Sequence, residues 1–142
     1  MSTATIQFCG AGGTTLAAQQ AGIQVEAAIN HSEIAIASHA ANHPATMHYR
    51  QSMEECNPDD MPDSDFLLTS PCCTNHSVAK GQKQYHQFDL FGDIVYDPIA
   101  EKSRNTMNDV VRFVAAKKHA KKSYTFVVVE NVIDVVKWRQ YS

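Results

Sequence analysis

Three short apolar runs in this chain each break off at residues able to do chemistry, and that repeated arrangement restricts the fold more than any other feature. Thr5-Ile6-Gln7-Phe8 runs into Cys9-Gly10-Ala11-Gly12-Gly13. Phe66-Leu67-Leu68 runs into Thr69-Ser70-Pro71-Cys72-Cys73-Thr74-Asn75-His76-Ser77. Phe126-Val127-Val128-Val129 runs into Glu130-Asn131-Val132. Each run has the length of a short buried strand, and helical stretches lie between them. Strands alternating with helices imply an α/β fold, a parallel sheet with helices on both faces. Ligands bind such sheets beyond the carboxyl ends of the strands. The glycine turn, the cysteine turn and the glutamate are therefore expected to open onto one edge.

The order of elements follows from the same patterning. After the strand at 5–8, Thr14 or Thr15 is placed to cap a helix over 16–21, which Gly22 ends. A second strand is expected at 24–29 and a helix at 31–41, ended by Asn42-His43-Pro44. Residues 53–64, rich in Glu, Asp and Pro, read as an acidic connector inside one domain. A strand follows at 65–69. Residues 80–98 read as loop, with Pro98 ahead of a long helix from about 99 to 119. The β-branched run at 124–129 has the character of a strand buried on both faces. A last helix is expected over 133–141. The 142 residues suffice for one α/β domain and are too few for two.

Charge and cysteine usage narrow the setting. A net charge of −3 gives no global attraction to nucleic acid. The one basic cluster, Lys117-Lys118-His119-Ala120-Lys121-Lys122, reads as a solvated helix end whose lysines complement the helix dipole. No run approaches the ~18 apolar residues of a membrane span, and the N-terminus lacks the pattern of an export signal. Four cysteines without a disulfide framework fit a reducing cytoplasm.

Several residues have plain readings. Cys9 reads as packing or as backbone contact with a ligand, Cys72 as a small hydrophobe, and Cys56 as incidental in a polar loop. His39 and His43 lie four apart and read as surface residues of one helix face. Neither they nor Cys72, Cys73 and His76 show the ligand spacing of a zinc site, so no metal is expected. Trp138 is either core packing or part of an uncovered apolar surface.

Taken together, the motifs resemble the DNA (cytosine-5) methyltransferases over about residues 6–136. The family's Phe-x-Gly-x-Gly-Gly is matched at Phe8, Gly10, Gly12 and Gly13. Its Pro-Cys-Gln-x-x-Ser motif is matched with Ser77 setting the register, four residues after Cys73, and with Cys72 in place of a proline. Glu-Asn-Val is matched at Glu130, Asn131 and Val132. Ser103-Arg104-Asn105-Thr106-Met107 is similar to the Ser-Arg segment of the intervening helix. One such motif would be weak; four in order, each on the right kind of element, are specific.

The resemblance implies a Rossmann-like fold dependent on S-adenosyl-L-methionine, with Cys73 as nucleophile and Glu130 as the acid that holds the cytosine ring. It assigns the cofactor to Phe8, Gly10, Gly12, Gly13, Asn30, His31, Ser52 and Pro71. It gives substrate positioning to Ser77, Arg104, Asn131 and Val132. Asn30 stands where the family carries an acid on the cofactor ribose. A neutral hydrogen bond there, worth about 1 kcal/mol against roughly 1.5–3 for a charge-assisted one, lowers the expected affinity by up to roughly tenfold. Ser52 replaces an acid at the adenine amine, and Thr74 replaces the usual Gln.

Family members continue past Glu-Asn-Val with an arginine-bearing motif, a target recognition domain and a closing segment. The expectation is thus a truncated, partial catalytic domain over 1–142, resembling part of a bacterial or phage restriction-modification enzyme. Its partners would be double-stranded DNA with a flipped cytosine and a companion polypeptide carrying the recognition half. The alternative is a non-catalytic remnant that binds S-adenosylmethionine or a partner chain without turnover.

Overall fold

The computed structural model describes residues 1–72 and 98–132, with side chains of the last helix described from residue 106 onward. The elements run β1 (Thr3–Gln7), α1 (Gly13–Gln20), β2 (Gln24–Asn30), α2 (Glu33–Asn42), β3 (Met47–Arg50), a 3-10 turn (Pro58–Asp60), β4 (Phe66–Thr69), α3 (Pro98–His119) and β5 (Phe126–Val129). The expected loop at 80–98 lies almost wholly outside the described residues, and the helix at 133–141 entirely so.

The five strands form one parallel sheet in the order β3-β2-β1-β4-β5. Strand order reverses between β1 and β4, and a crevice at such a switch point is where doubly wound sheets take ligands. Two apolar layers sandwich the sheet. On one face Ala4, Ile6, Val25 and Ala28 pack with Ala18 of α1 and Ile36 of α2. On the other, Ile29 and Leu67 pack with Val110 and Phe113 of α3. Helices thus cover both faces, as the alternation of elements implied.

Local chemistry explains the boundaries. Ser32 caps α2 by accepting from the Ala35 N–H at 3.3 Å. Pro98 opens α3, where its missing N–H removes nothing a first helical turn would use. The start of α1 departs from expectation. Its N-cap is Gly12, in the left-handed region at φ 109°, with no side-chain cap; Thr15 is inside the helix and buried. α1 therefore begins at Gly13, nearer the glycine turn than the 16–21 reading placed it.

Three further expectations are corrected. Met47–Arg50 forms a strand that the sequence hides, because Met-His-Tyr-Arg at a sheet edge carries no apolar run. The connector at 53–64 contributes to the core: Met53, Cys56 and Met61 are buried against α3, so Cys56 is not incidental. Arg112 fastens that connector by donating to the carbonyls of Met53 and Cys56. Lys117 is only 1% exposed, donating to the Met61 carbonyl at 2.8 Å and to Asp63 at 3.0 Å. Of the basic cluster, Lys118, Lys121 and Lys122 are the lysines on the surface.

β5 is the largest departure. It pairs only with β4 among the described residues, and all four of its side chains are exposed, Phe126 at 57% and Val128 at 51%. A strand with that composition is expected between two neighbours. Among the described residues it lies at the edge, and with Val111 of α3, 60% exposed, it forms an apolar surface that no described residue covers.

Candidate functional site

The carboxyl ends of the five strands deliver the described members of the sequence-predicted set, Phe8, Gly10, Gly12, Gly13, Asn30, His31, Ser52, Pro71, Glu130, Asn131 and Val132, to one side of the sheet. After β1 the chain turns sharply through Phe8 (φ 59°), Gly10 (φ 51°) and Gly12 (φ 109°). A bulky residue in the left-handed region is unusual and carries strain on the order of 1–3 kcal/mol. Phe8 packs its ring against the α3-side core. A side chain at Gly10 or Gly13 would meet none of the described residues within 4 Å, so backbone there is open to a ligand on that side. A side chain at Gly12 would come within 2.5 Å of His43 Nε2. Two glycines thus leave room above the turn, and the third leaves room beneath it.

The turn is held from below by the last turn of α2. His43 Nε2 donates to the Gly12 carbonyl at 3.1 Å, and Asn42 Nδ2 donates to the Ala11 carbonyl at 3.4 Å. His39 Nε2 lies 2.7 Å from Thr15 Oγ1, and His39 Nδ1 lies 2.8 Å from His48 Nε2 on β3. The His39 ring centroid is 4.8 Å from that of His43 and 5.0 Å from that of His48. His39 is fully buried and His43 nearly so. The surface reading of these two is therefore wrong: they face inward onto the glycine turn. Burial, then the neighbouring His48 and His43, press His39 down to about 4; burial and then His43 lower His48 as well. The available signal was His-x-x-x-His ending in Asn-His at a helix C-terminus. Among the described residues no group of three or more His, Cys, Asp or Glu is arranged to hold a metal.

At the end of β2, Asn30 Oδ1 accepts from the Ser32 N–H at 2.9 Å, which turns the chain into α2. Its amide nitrogen and second lone pair remain for a ligand. His31 is exposed beside it. Ser52, just past β3, donates to Glu55 Oε2 at 2.9 Å and accepts from the Glu55 N–H at 3.3 Å. A carboxylate therefore stands beside Ser52, supplied three residues later in the chain. Inspection of Ser52 alone missed it.

The other half of the edge is formed by β4 and β5. The Glu130 N–H donates to the Thr69 carbonyl at 2.9 Å, continuing the ladder past the strand ends. Asn131 Nδ2 then donates to the Pro71 carbonyl at 3.2 Å, and its Oδ1 accepts from the Val132 N–H at 2.8 Å. Pro71 is buried, Cys72 is partly buried, and the Glu130 side chain is exposed. Cys73, Thr74, His76 and Ser77 lie outside the described residues, and Arg104 falls on α3 in the stretch whose side chains are not described. Below the edge, the Gln7 amide and the Thr69 hydroxyl are buried without hydrogen-bond partners among the described residues, on neighbouring strands and in register. Buried polar atoms of that kind ordinarily meet water or a ligand. Cys9 is buried and pushed up to about 11 by desolvation, which disfavours its thiolate.

The chain matches the C-5 cytosine-specific DNA methylase family over residues 7–141. No curated protein matches it. Among solved structures, one described as a DNA modification methyltransferase encoded within an E. coli prophage superposes with a TM-score of 0.70 at 22% identity, over 100% of this chain and 35% of its own. The S. pombe Dnmt2 methyltransferase gives 0.67 at 14% identity, over 99% of this chain and 37% of its own. A Spodoptera frugiperda DNMT2 mutant gives 0.54 at 15% identity, over 94% of this chain and 36% of its own. The chain therefore spans little more than a third of the length of these structures. Among the described residues no helix is long and apolar enough to cross a membrane.

Proposed function

The chain belongs to the C-5 cytosine-specific DNA methylase family, and from that premise we propose that it is the cofactor-binding and nucleophile-bearing part of a DNA cytosine-5 methyltransferase. The observation that carries this reading is the coupling of the β4 and β5 ends. Glu130 bonds to Thr69 and Asn131 bonds to Pro71, so the acid is tied to the turn that leads directly into Cys73.

Cys73 adds as thiolate to carbon 6 of a flipped cytosine, and the ring's electrons become available at carbon 5. A free thiol has a pKa near ~8.5, so the site must favour the thiolate. Glu130 holds N3 and the exocyclic amine and offsets the negative charge that develops as sulfur adds. After methylation of carbon 5, loss of its proton to a base expels Cys73 and restores the double bond. Flipping the base out of the duplex costs a few kcal/mol, which contacts to DNA must offset. Ser77, Arg104 and Val132 would take part in positioning the base.

S-adenosyl-L-methionine, when bound, supplies the methyl group as an electrophile. The residues present fit it. Gly10 and Gly13 leave backbone open to a close-lying ligand. Asn30 keeps an amide donor and a lone pair for ribose hydroxyls, while Phe8, His31 and Pro71 supply apolar and aromatic surface. The Ser52–Glu55 pair offers an acceptor for the adenine amine.

A second reading, a chain that binds S-adenosylmethionine or a partner without turnover, is favoured by the uncovered β5. On the first reading that strand is covered in the working enzyme, by further chain or by a companion polypeptide carrying the recognition half. The prophage-encoded neighbour fits a bacterial or phage modification role and a cytoplasmic setting. The two readings separate in an assay with labelled S-adenosylmethionine and cytosine-containing DNA, with and without the recognition segments supplied in trans. Label in DNA that disappears with Cys73→Ser supports the enzyme; no label under either condition, with bound cofactor, supports the remnant.

A further inference from the structure

We propose that His39 and His43 are positioning residues for the glycine turn, holding it in the shape that binds an adenosyl ligand. This rests on the cofactor assignment made above. His43 fixes Gly12 through its carbonyl, and His39 fixes Thr15 through its hydroxyl, so α2 grips both the N-cap and the third residue of α1. α1 has no side-chain cap of its own. Its entry angle, and with it the open backbone at Gly10 and Gly13, depends on this grip.

Hydrogen accounting sets the direction of these bonds. The Gly12 carbonyl can only accept, so His43 Nε2 carries a proton. One proton lies between His39 Nδ1 and His48 Nε2, so His48 steadies the His39 ring from β3. His39 is fully buried. The groups facing it among the described residues are Thr15 from α1, His43 from its own helix and His48 from β3. None is an anion, so a proton on His39 has no compensation. Burial and these two neighbours hold its pKa well down, which keeps the pair neutral at physiological pH.

The test uses the full chain, with S-adenosylhomocysteine as probe, by calorimetry at about pH 7.5. His39→Gln, which can both accept from Thr15 and donate to His48, is expected to bind near wild type, and His39→Ala, which keeps neither bond, about tenfold more weakly. His43→Ala is expected to weaken binding about tenfold at neutral pH, and His43→Gln, which keeps the donor, to restore it. Binding by His43→Ala or His39→Ala as tight as wild type would overturn the proposal and leave the cofactor assignment standing. If wild type binds no ligand, the cofactor assignment fails. Amide hydrogen exchange over residues 9–16 in the ligand-free protein then decides the inference: protection lost in His43→Ala and regained in His43→Gln supports the grip on the turn, and protection equal in all three overturns it.

Discussion

Asn131 donates its side-chain amide to the carbonyl of Pro71 across 3.2 Å, and so ties the end of β5 to the turn that follows β4. The residues flanking this bond are Glu130 on one side and Cys72-Cys73 on the other. Because the bond lies beyond the last strand pairs, it adds little to the sheet and much to the relative placement of the two turns. Asn131→Ala is expected to lower kcat at least tenfold with about 1–2 kcal/mol lost in stability, since it removes two part-buried hydrogen bonds, to the Pro71 carbonyl and from the Val132 N–H, each contributing about 1 kcal/mol. Single-turnover methylation alongside urea unfolding checks the separation.

Gly10 and Gly12 both sit at positive φ, yet their substitutions separate. At Gly10 a methyl group meets open space, so Gly10→Ala is expected to cost only about 1 kcal/mol of backbone strain while obstructing the ligand. At Gly12 the methyl strikes the His43 ring at 2.5 Å, so Gly12→Ala is expected to cost about 2–4 kcal/mol in stability. Denaturant midpoints and S-adenosylhomocysteine titrations of the two variants, side by side, measure the contrast.

Acid should destabilise the fold through His39. Its folded value is pressed down to about 4, against 6.5 for the free side chain, and His48 moves in the same direction. Between those pH values the unfolded chain binds a proton that the folded chain refuses. The contribution is fully present above about pH 6.5 and is lost as pH falls toward about 4, on the order of 2–3 kcal/mol in total. Urea unfolding at several pH values should show this slope, and His39→Gln should remove most of it.

Lys117 is a buried cation at the end of α3, bonded to the Met61 carbonyl and to Asp63. Lys117→Ala strips both contacts and leaves the Met61 carbonyl without its donor, an expected loss of about 2–4 kcal/mol. Lys122 also reaches Asp63, from the surface, and its removal should change the unfolding midpoint far less.

Thiol chemistry should be selective. Burial pushes Cys9 up to about 11 and raises Cys56 above its ordinary value. Neither should react with iodoacetamide in the native protein near about pH 8, whereas both should react in urea. Mass spectrometry of labelled peptides distinguishes the four cysteines.

The sheet was legible in the sequence where strands are apolar and end at turn residues. β1, β2 and β4 fall where the runs of Ile, Val, Ala and Leu placed them, within one or two residues. β3 was not legible, since an edge strand is held by backbone pairing and Met47, His48, Tyr49 and Arg50 advertise no periodicity. β5 was legible as a strand but not as an edge: the Val run reports what the residues prefer, not which neighbours they have. Of the site, the glycines, Glu130 and Asn131 were read from motif. The histidines were not, because polar residues at helical spacing look solvated until the element they pack on is known. Lys117 and Cys56 were misjudged for the same reason, their burial being set by a long-range contact between the 53–64 connector and α3.

The central claim is that Cys73 bonds covalently to carbon 6 of a cytosine during methylation. DNA carrying 5-fluorocytosine tests it most directly, because fluorine at carbon 5 cannot leave as a proton does, and the sulfur–carbon bond then persists. Incubated with S-adenosylmethionine and any recognition segments supplied in trans, the wild-type chain is predicted to form a denaturation-resistant DNA adduct mapped to Cys73 and absent in Cys73→Ser. Folded, cofactor-bound protein that forms no adduct under these conditions, or an adduct that survives Cys73→Ser, would contradict the account.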